Sequence, residues 1–213
     1  MDTIERLRRS LEASPVVRMG GYEYFVHPLA DGVPALDPSE LEAVAILMAD
    51  MMDLSFDRLL TVEALGIPVA TAISLILKVP LTVVRKKKYG LPGEVSVRAS
   101  TGYASHELYL NGLRRGERVV FVDDVLSTGG TLRAVASALH QVGAVLCGAF
   151  VVIDKSSDKS SLERELGVRI GALVRVRLEG GRVRTERLLD AQQAGNGVRG
   201  ERAVNPDVGR KMG

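Results

Sequence analysis

The chain of 213 residues is 46% apolar and only 4% aromatic, with a formal net charge of +2. These values predict a globular domain with an aliphatic core, and they exclude a strongly basic nucleic-acid-binding chain. The single cysteine, Cys147, excludes a disulfide framework. No apolar run has the length of a membrane span or the pattern of a signal peptide. We therefore expect a cytoplasmic protein whose partners include neither nucleic acid nor a membrane.

Helical and extended patterns alternate along the chain. Asp37-Pro38-Ser39-Glu40 has the cap, the proline and the acidic residue that begin a helix. The predicted helices are 3–13, 38–52, 68–77, 131–142 and 162–166. The predicted strands are 22–27, 58–62, 81–84, 107–110, 119–122 and 145–153, followed by a hairpin of 171–178 and 182–188. This alternation predicts an α/β fold with a doubly wound parallel sheet.

Four segments are expected from the same pattern. Residues 58–153 would form the core, and residues 86–106 within it, which are largely polar, would form a mobile lid. Residues 1–57 and 154–190 would add a cap or hood over the ligand cleft, with a Gly- and Pro-rich loop at 28–38 in the first of them. Residues 191–213 are Gly-rich and aperiodic, so we expect a flexible tail.

The most informative stretch of the chain is Val119-Val120-Phe121-Val122-Asp123-Asp124-Val125-Leu126-Ser127-Thr128-Gly129-Gly130-Thr131. Its apolar start suits a buried parallel strand, and Asp123 and Asp124 follow at the carboxyl end, where open α/β sheets bind ligands. Residues 127–131 offer hydroxyls and unhindered N–H groups at a helix N-terminus, which suit a phosphate. Carboxylates that accept from sugar hydroxyls beside a phosphate cradle predict a pocket for a ribose 5-phosphate. A plain strand–turn–helix would need neither two glycines nor three hydroxyls.

This stretch resembles the signature of the type I phosphoribosyltransferases, which use phosphoribosyl pyrophosphate (PRPP). The resemblance implies displacement of pyrophosphate from the ribose of PRPP by a purine base. It also implies Mg²⁺ bound with PRPP, a homodimer, and a doubly wound core with a small hood. Asp123 and Asp124 would contact the ribose and serve as outer-shell metal contacts. Residues 127–131 would bind the 5′-phosphate.

Two further loops complete the expected PRPP site. The loop Glu63-Ala64-Leu65-Gly66 follows a strand, where the family binds pyrophosphate through backbone N–H groups; on local sequence alone a simple turn is equally compatible. The cations Arg85, Lys86 and Lys87 would neutralise the pyrophosphate, although a run of charge is ordinarily solvated. The segment that continues from them resembles that of adenine phosphoribosyltransferases, and we predict lid positions at Tyr89, Gly93 and Glu94.

Fewer residues bear on the base specificity than on the PRPP site. Enzymes for 6-oxopurines usually carry an acidic proton acceptor where this chain has Ser127, which slightly favours adenine and formation of AMP. Archaeal enzymes for hypoxanthine and guanine also resemble this chain and have serine there, so they are the alternative. Val125, Lys155 and Phe25 are the predicted base contacts. Lys155 could equally be a surface lysine, and Phe25 a core residue.

Two other classes share the acidic signature. A PRPP-sensing regulator would bind PRPP without turnover, but it should carry a DNA-binding module, and no helix-turn-helix pattern is present. A PRPP synthase would need an internal duplication that the sequence lacks.

Overall fold

The computed structural model describes residues 2–19, 22–52, 55–100 and 105–188. The predicted tail at 191–213 and a few positions of the predicted lid lie outside these residues. The helices are α1 (Thr3–Glu12), α2 (Pro28–Asp31), α3 (Pro38–Met51), α4 (Gly66–Leu77), α5 (Gly130–Val142) and α6 (Lys159–Leu166). The strands are β1 (Val16–Met19), β2 (Tyr22–Phe25), β3 (Arg58–Val62), β4 (Leu81–Val84), β5 (Val95–Ser100), β6 (Ser105–Leu110), β7 (Arg118–Leu126), β8 (Val145–Asp154), β9 (Ile170–Glu179) and β10 (Arg182–Arg187).

The main sheet has six strands in the order β10-β9-β8-β7-β3-β4. The pairs β3–β4, β3–β7, β7–β8 and β8–β9 are parallel, and β10 is an antiparallel edge strand. The strand order changes direction between β3 and β7, so the carboxyl ends of these strands flank a crevice suited to a ligand. The predicted α/β fold with a doubly wound parallel sheet is confirmed.

Alternate residues of the central strand β7 enter two different cores. Val120 and Val122 pack in a cluster with α1, α3 and α4, whereas Val119 and Phe121 pack in a second cluster with α5 and α6. A strand covered by helices on both faces must be apolar on both, which explains its uninterrupted apolar run. Burial of this strand fixes where its carboxyl end, with the acidic pair, meets the cleft.

The structure also corrects some predicted elements. β7 continues through the acidic pair to Leu126 rather than ending at Val122, because Asp123 and Val125 pair in register with β8. The predicted loop at 28–38 contains the short helix α2, and β1 pairs with β2 in a hairpin. The predicted polar lid contains β5, whose alternation of Val95, Val97 and Ala99 with polar residues suits an antiparallel ribbon with β6.

The two flanks of the chain meet on one side of the sheet. Arg8 Nε on α1 donates to Thr185 Oγ1 on β10 at 3.1 Å, and Arg187 pairs with Asp2 at 2.6 Å. The sheet itself includes β9 and β10, which lie beyond the predicted core of 58–153. No helix in the described parts of the chain is both long and apolar enough to cross a membrane.

Candidate active site

A cleft of about 350 Å³ opens at the carboxyl ends of β3, β7 and β8. Most of the predicted site residues line it: Phe25, Glu63, Ala64, Leu65, Lys86, Asp123, Asp124, Val125, Ser127, Thr128, Gly129, Gly130, Thr131 and Lys155. The β1–β2 hairpin, α2 and the β5–β6 ribbon supply the opposite walls through Tyr24, Phe25, Ala30, Ala99, His106 and Leu108. The cleft therefore combines residues from Tyr24 to Lys155, which are far apart in the sequence.

The acidic pair lies in a desolvated position at the end of β7. Burial raises the pKa of Asp123 well above its usual range, and the adjacent Asp124 adds to this shift while Lys86 opposes it. Burial also raises the pKa of Asp124. The backbone N–H of Asp124 donates to Asp123 Oδ1 at 3.0 Å. Carboxyl groups held in this way in a partly dry cleft are good partners for the hydroxyls of a sugar.

Gly66 lies behind the acidic pair rather than in the cleft wall. A Cβ atom at this position would lie 2.5 Å from Asp123 Oδ1, and it would also collide with Thr61 Oγ1. Thr61 is fully buried, and its hydroxyl has no hydrogen-bond partner among the described residues. Only glycine allows the start of α4 to approach β3 and β7 this closely, so Gly66 sets the position of Asp123 through packing.

The loop of residues 127–131 leads into an uncapped helix. Gly129 has a φ of 76° at the N-cap of α5, and no side chain in the described chain caps this terminus. The contact from Gly130 N to Thr128 Oγ1 is long, at 3.4 Å. The N–H groups of the first turn of a helix have no partner within the helix. This terminus can therefore donate to an anion, with the hydroxyls of Ser127, Thr128 and Thr131 close by.

The loop after β3 is tied to the cationic run after β4. Glu63 Oε1 accepts from the backbone N–H of Lys86 at 2.6 Å, and Arg85 Nε lies 2.5 Å from Glu63 Oε2. The Glu63–Ala64 peptide bond is cis. Arg85 thus pairs with Glu63 but does not itself belong to the cleft wall, whereas Glu63 and Lys86 do. Lys87 lies outside that wall, with its Nζ 5.8 Å from the ring centroid of Tyr89.

The predicted lid residues Tyr89, Gly93 and Glu94 are not part of the cleft wall. Glu94 accepts hydrogen bonds from Asn111 Nδ2 at 3.0 Å and from the N–H groups of Tyr89 and Gly90 at 2.9 and 3.1 Å. The Asn111 contact and the bonds from these N–H groups lower the pKa of Glu94. Glu94 therefore organises its own turn. Movement of this segment over the cleft stays a prediction.

Lys155 lies on the opposite side of the cleft from the cationic run. Its Nζ lies 5.8 Å from the ring centroids of both Tyr24 and Phe25. Its backbone N–H donates to Leu126 O at 2.7 Å, which ties the end of β8 to the end of β7. Phe25 is 2% exposed, so it serves the core as well as the cleft wall. A cation over an aromatic wall suits a planar, polar ligand.

The preceding residue, Asp154, holds the turn that carries Lys155 in place, and its side chain is fully buried. Asp154 Oδ1 accepts from Ser156 N at 2.9 Å, and Oδ2 accepts from Arg175 Nη2 at 2.9 Å. A buried carboxylate requires such partners to offset its desolvation. The pair therefore holds the strand end from which Lys155 enters the cleft.

Tyr24 and His106 line the cleft but do not belong to the predicted site. Tyr24 could have been predicted from the sequence, because it adjoins Phe25, a predicted base contact, in a chain with few aromatic residues. His106 lies opposite Ala99 in the β5–β6 ribbon. No local pattern in the sequence brings this histidine to the cleft, because its position depends on the ribbon.

The fold and the cleft define an α/β protein whose cleft, at the carboxyl edge of the sheet, has the geometry of a site for a phosphorylated ligand. Residues 37–165 match the family model described as the phosphoribosyl transferase domain. The chain belongs to the phosphoribosyltransferase family. The resemblance of the 119–131 stretch to that family is thereby confirmed.

Similar proteins include curated archaeal relatives. A hypoxanthine/guanine phosphoribosyltransferase of Methanosarcina acetivorans is 49% identical over 173 residues, which cover 81% of this chain and 91% of that protein. The protein of the same name from Methanocella paludicola is 44% identical over 173 residues, or 81% of this chain and 90% of that protein.

Among solved structures, the adenine phosphoribosyltransferase of Thermoanaerobacter pseudethanolicus has a TM-score of 0.65 and 23% identity. The alignment covers 81% of this chain and 99% of that chain. At this identity the likeness shows a shared fold, that of the type I phosphoribosyltransferases.

Proposed function

We propose that the protein is a purine salvage enzyme that forms IMP or GMP from PRPP and hypoxanthine or guanine. A nitrogen of the base forms a bond to C1 of the ribose, the bond from C1 to pyrophosphate breaks, and pyrophosphate leaves. The proton on that nitrogen is released to water or to the departing pyrophosphate. The main support for the reaction class is the cleft, where the acidic pair Asp123 and Asp124 lies beside an uncapped helix N-terminus. The choice of hypoxanthine or guanine as the base is supported by the names of the curated relatives.

Adenine, our first expectation from Ser127, has less support than its alternative. The relatives that are 43–49% identical are named for hypoxanthine and guanine. The adenine enzyme from Thermoanaerobacter shares the fold at 23% identity. Lys155 also favours a 6-oxopurine, because an ammonium group has only donors and can bond to an exocyclic oxygen but not to an amino group.

In the proposed complex, each wall of the cleft has one task. Asp123 and Asp124 accept hydrogen bonds from the ribose hydroxyls, and residues 127–131 donate to the 5′-phosphate. The 63–66 loop and Lys86 receive the pyrophosphate, with Arg85 holding Glu63 in place. Lys155, Val125 and the hood aromatics hold the base. The protein contributes mainly positioning and neutralisation of the leaving group.

Mg²⁺ is expected to enter with PRPP. No group of three or more His, Cys, Asp or Glu side chains converges on a metal position in the described chain. The two carboxylates fit a cation that takes most of its ligands from the phosphates and ribose of PRPP and from water. Asp123 and Asp124 would hold it from outside, and the ion would offset charge on the departing pyrophosphate. We also expect a homodimer, which light scattering with size-exclusion chromatography would test.

The test is pyrophosphate release from PRPP and Mg²⁺ with hypoxanthine, guanine, xanthine, adenine and orotate in separate reactions. We expect turnover with hypoxanthine or guanine and little with adenine. Preferential turnover of adenine would reject the proposed specificity but retain the reaction. No turnover with any base, together with calorimetric binding of PRPP, would instead support the sensor alternative.

A further inference from the structure

We propose that Arg133 and Glu165 form a clamp that holds the phosphate-binding loop, residues 127–131, in its binding shape. Both would be positioning residues for the transfer reaction, and in this respect the inference rests on the proposed function. Arg133 lies in the first turn of α5, and Glu165 lies on α6, which follows the turn that carries Lys155. Neither side chain lines the cleft.

The guanidinium group of Arg133 donates to three oxygen atoms of two residues, Thr128 and Glu165. Arg133 Nη1 donates to the carbonyl oxygen of Thr128, inside the loop, at 2.9 Å. Arg133 Nε donates to Glu165 Oε1 at 2.8 Å, and Nη2 donates to Glu165 Oε2 at 2.7 Å. Because the guanidinium is planar and rigid, bidentate contact with the carboxylate fixes the direction in which Nη1 points at the loop.

The clamp is reinforced by close packing of α6 on the loop. A Cβ on Gly129 would lie 2.7 Å from Leu162 Cδ2 and 3.1 Å from Arg133 Nη1. Leu162 is only 3% exposed, so the helix cannot retreat without uncovering it. Asp158 caps α6 by accepting from Ser161 N at 2.9 Å. The loop is therefore packed against the buried Leu162 at Gly129 and held by Arg133 at its own Thr128 carbonyl group.

The exposure of the ion pair argues against a role in global stability. The side chains of Arg133 and Glu165 are 44% and 47% exposed, and exposed pairs of this kind contribute little to folding. Yet the contact from Arg133 acts on a carbonyl oxygen between two residues that are proposed to bind phosphate. Loss of the clamp should therefore loosen the loop while leaving the fold intact.

The test measures steady-state kinetics and calorimetric binding of ribose 5-phosphate for Arg133→Ala, Arg133→Lys and Glu165→Gln. We expect Arg133→Ala to raise the KM for PRPP about tenfold, the size of effect associated with losing a hydrogen bond to a charged group. The kcat and the KM for the base should change less than about twofold, since the clamp acts on PRPP binding. Ribose 5-phosphate should bind correspondingly more weakly, whereas pyrophosphate, which does not use this loop, should bind as in the wild type.

The Glu165→Gln variant separates positioning from simple attraction. If Arg133 acts through the clamp, this variant should weaken ribose 5-phosphate binding, because the guanidinium loses its bidentate partner. If Arg133 instead acts as a loose positive charge, removal of Glu165 should leave binding unchanged or strengthen it, which would overturn the proposal. Arg133→Lys keeps the charge but lacks the fork, so its affinity should fall between those of Arg133→Ala and the wild type.

Arg164→Ala is the matched control, since this arginine on α6 is exposed and, among the described residues, donates only to Ser160 O in its own helix. It should match the wild type in every measurement. Equal KM values for PRPP in Arg133→Ala and the wild type would reject the clamp. A wild type that binds ribose 5-phosphate but turns over no base would reject the proposed reaction, while the binding series would still decide the clamp. A wild type that does not bind ribose 5-phosphate would overturn both.

Discussion

Asp124 lies at the carboxyl end of β7 with its side chain in the cleft, where it is proposed to accept from a ribose hydroxyl. Asp124→Asn replaces part of this acceptor with a donor and removes a charge-assisted hydrogen bond. We expect kcat/KM for PRPP to fall by roughly tenfold to a hundredfold, with little change in melting temperature. Steady-state kinetics and thermal unfolding would check both. The exposed Glu179→Gln is the control, and unchanged kinetics in Asp124→Asn would contradict the assigned ribose contact.

His27 is buried in the hood segment and has a structural role. Its Nδ1 accepts from Leu29 N at 3.2 Å as the cap of α2, and its Nε2 lies 2.9 Å from Ser10 Oγ. Burial lowers the pKa of His27 to about 4, although the nearby Asp31 opposes the shift. As the pH falls from about 6.5 to about 4, the unfolded chain therefore takes up a proton that the folded chain does not.

This difference predicts a loss of stability in weak acid. The free energy of unfolding should decrease by up to about 3 kcal/mol through this group between pH 6.5 and pH 4, and this contribution should level off below pH 4. Urea titrations at pH 7.0, 5.5 and 4.5 would measure it. His27→Asn, which keeps a capping acceptor, should flatten the dependence, whereas the exposed His140→Gln should retain it. Parallel curves for wild type and His27→Asn would contradict the assignment.

The start of α4 depends on the absence of a side chain at Gly66. Because a Cβ there would collide with Thr61 and Asp123, Gly66→Ala must shift either the helix or the acidic strand end. We expect the free energy of unfolding to fall by about 1–3 kcal/mol, as in other overpacked sites, and the KM for PRPP to rise. Urea unfolding and kinetics would test this. Thr71→Ala, an exposed change on the same helix, should alter neither, and a silent Gly66→Ala would refute the close packing.

The β5–β6 ribbon shows that a segment of largely polar composition can still be packed against the core. Residues 95–110 are rich in polar side chains, yet Ala99, Leu108 and Leu110 are buried against the α5 side of the sheet. Only one face of the ribbon needs to be apolar, and that same face, which carries Ala99, His106 and Leu108, also borders the cleft. The ribbon consequently serves as an anchored wall that carries His106.

The hood segments and the sheet share a single core. Leu11 on α1 is fully buried in the cluster that also contains Met48 of α3, Phe150 of β8 and Val174 of β9. The N-terminal helix, the C-terminal hairpin and the central strands should therefore unfold together.

Truncation of Leu11 tests this cooperativity. Leu11→Ala should lower the free energy of unfolding by about 2–5 kcal/mol, the usual cost of such a cavity. Circular dichroism and tyrosine fluorescence should still show one coincident transition. Two separate transitions would indicate that the hood folds independently, and the exposed Arg9→Ala should change the midpoint only slightly.

The features that the sequence determined by itself are those encoded by neighbouring residues. The spacing of apolar residues predicts most helices and central strands, because an element that is buried on one face has apolar residues about every 3.6 positions in a helix or every 2 positions in a strand. The 119–131 stretch predicts the acidic pair and the phosphate loop, because a strand end and the following helix start hold all of its groups together. Short or half-exposed elements such as β1, α2 and β5 carry weaker patterns and were missed.

Tertiary structure decided what depends on residues distant in sequence. It separates Lys86, which lines the cleft, from Arg85, which pairs with Glu63. It also brings Tyr24 and His106 to the cleft, and it places Glu165 on Arg133, 32 residues away. No local period encodes such contacts, since they arise only when separate elements pack on the two faces of one sheet. The chemistry proposed for residues 127–131 can therefore be predicted from the sequence, whereas the contact between Arg133 and Glu165 and the cleft walls form only in the folded chain.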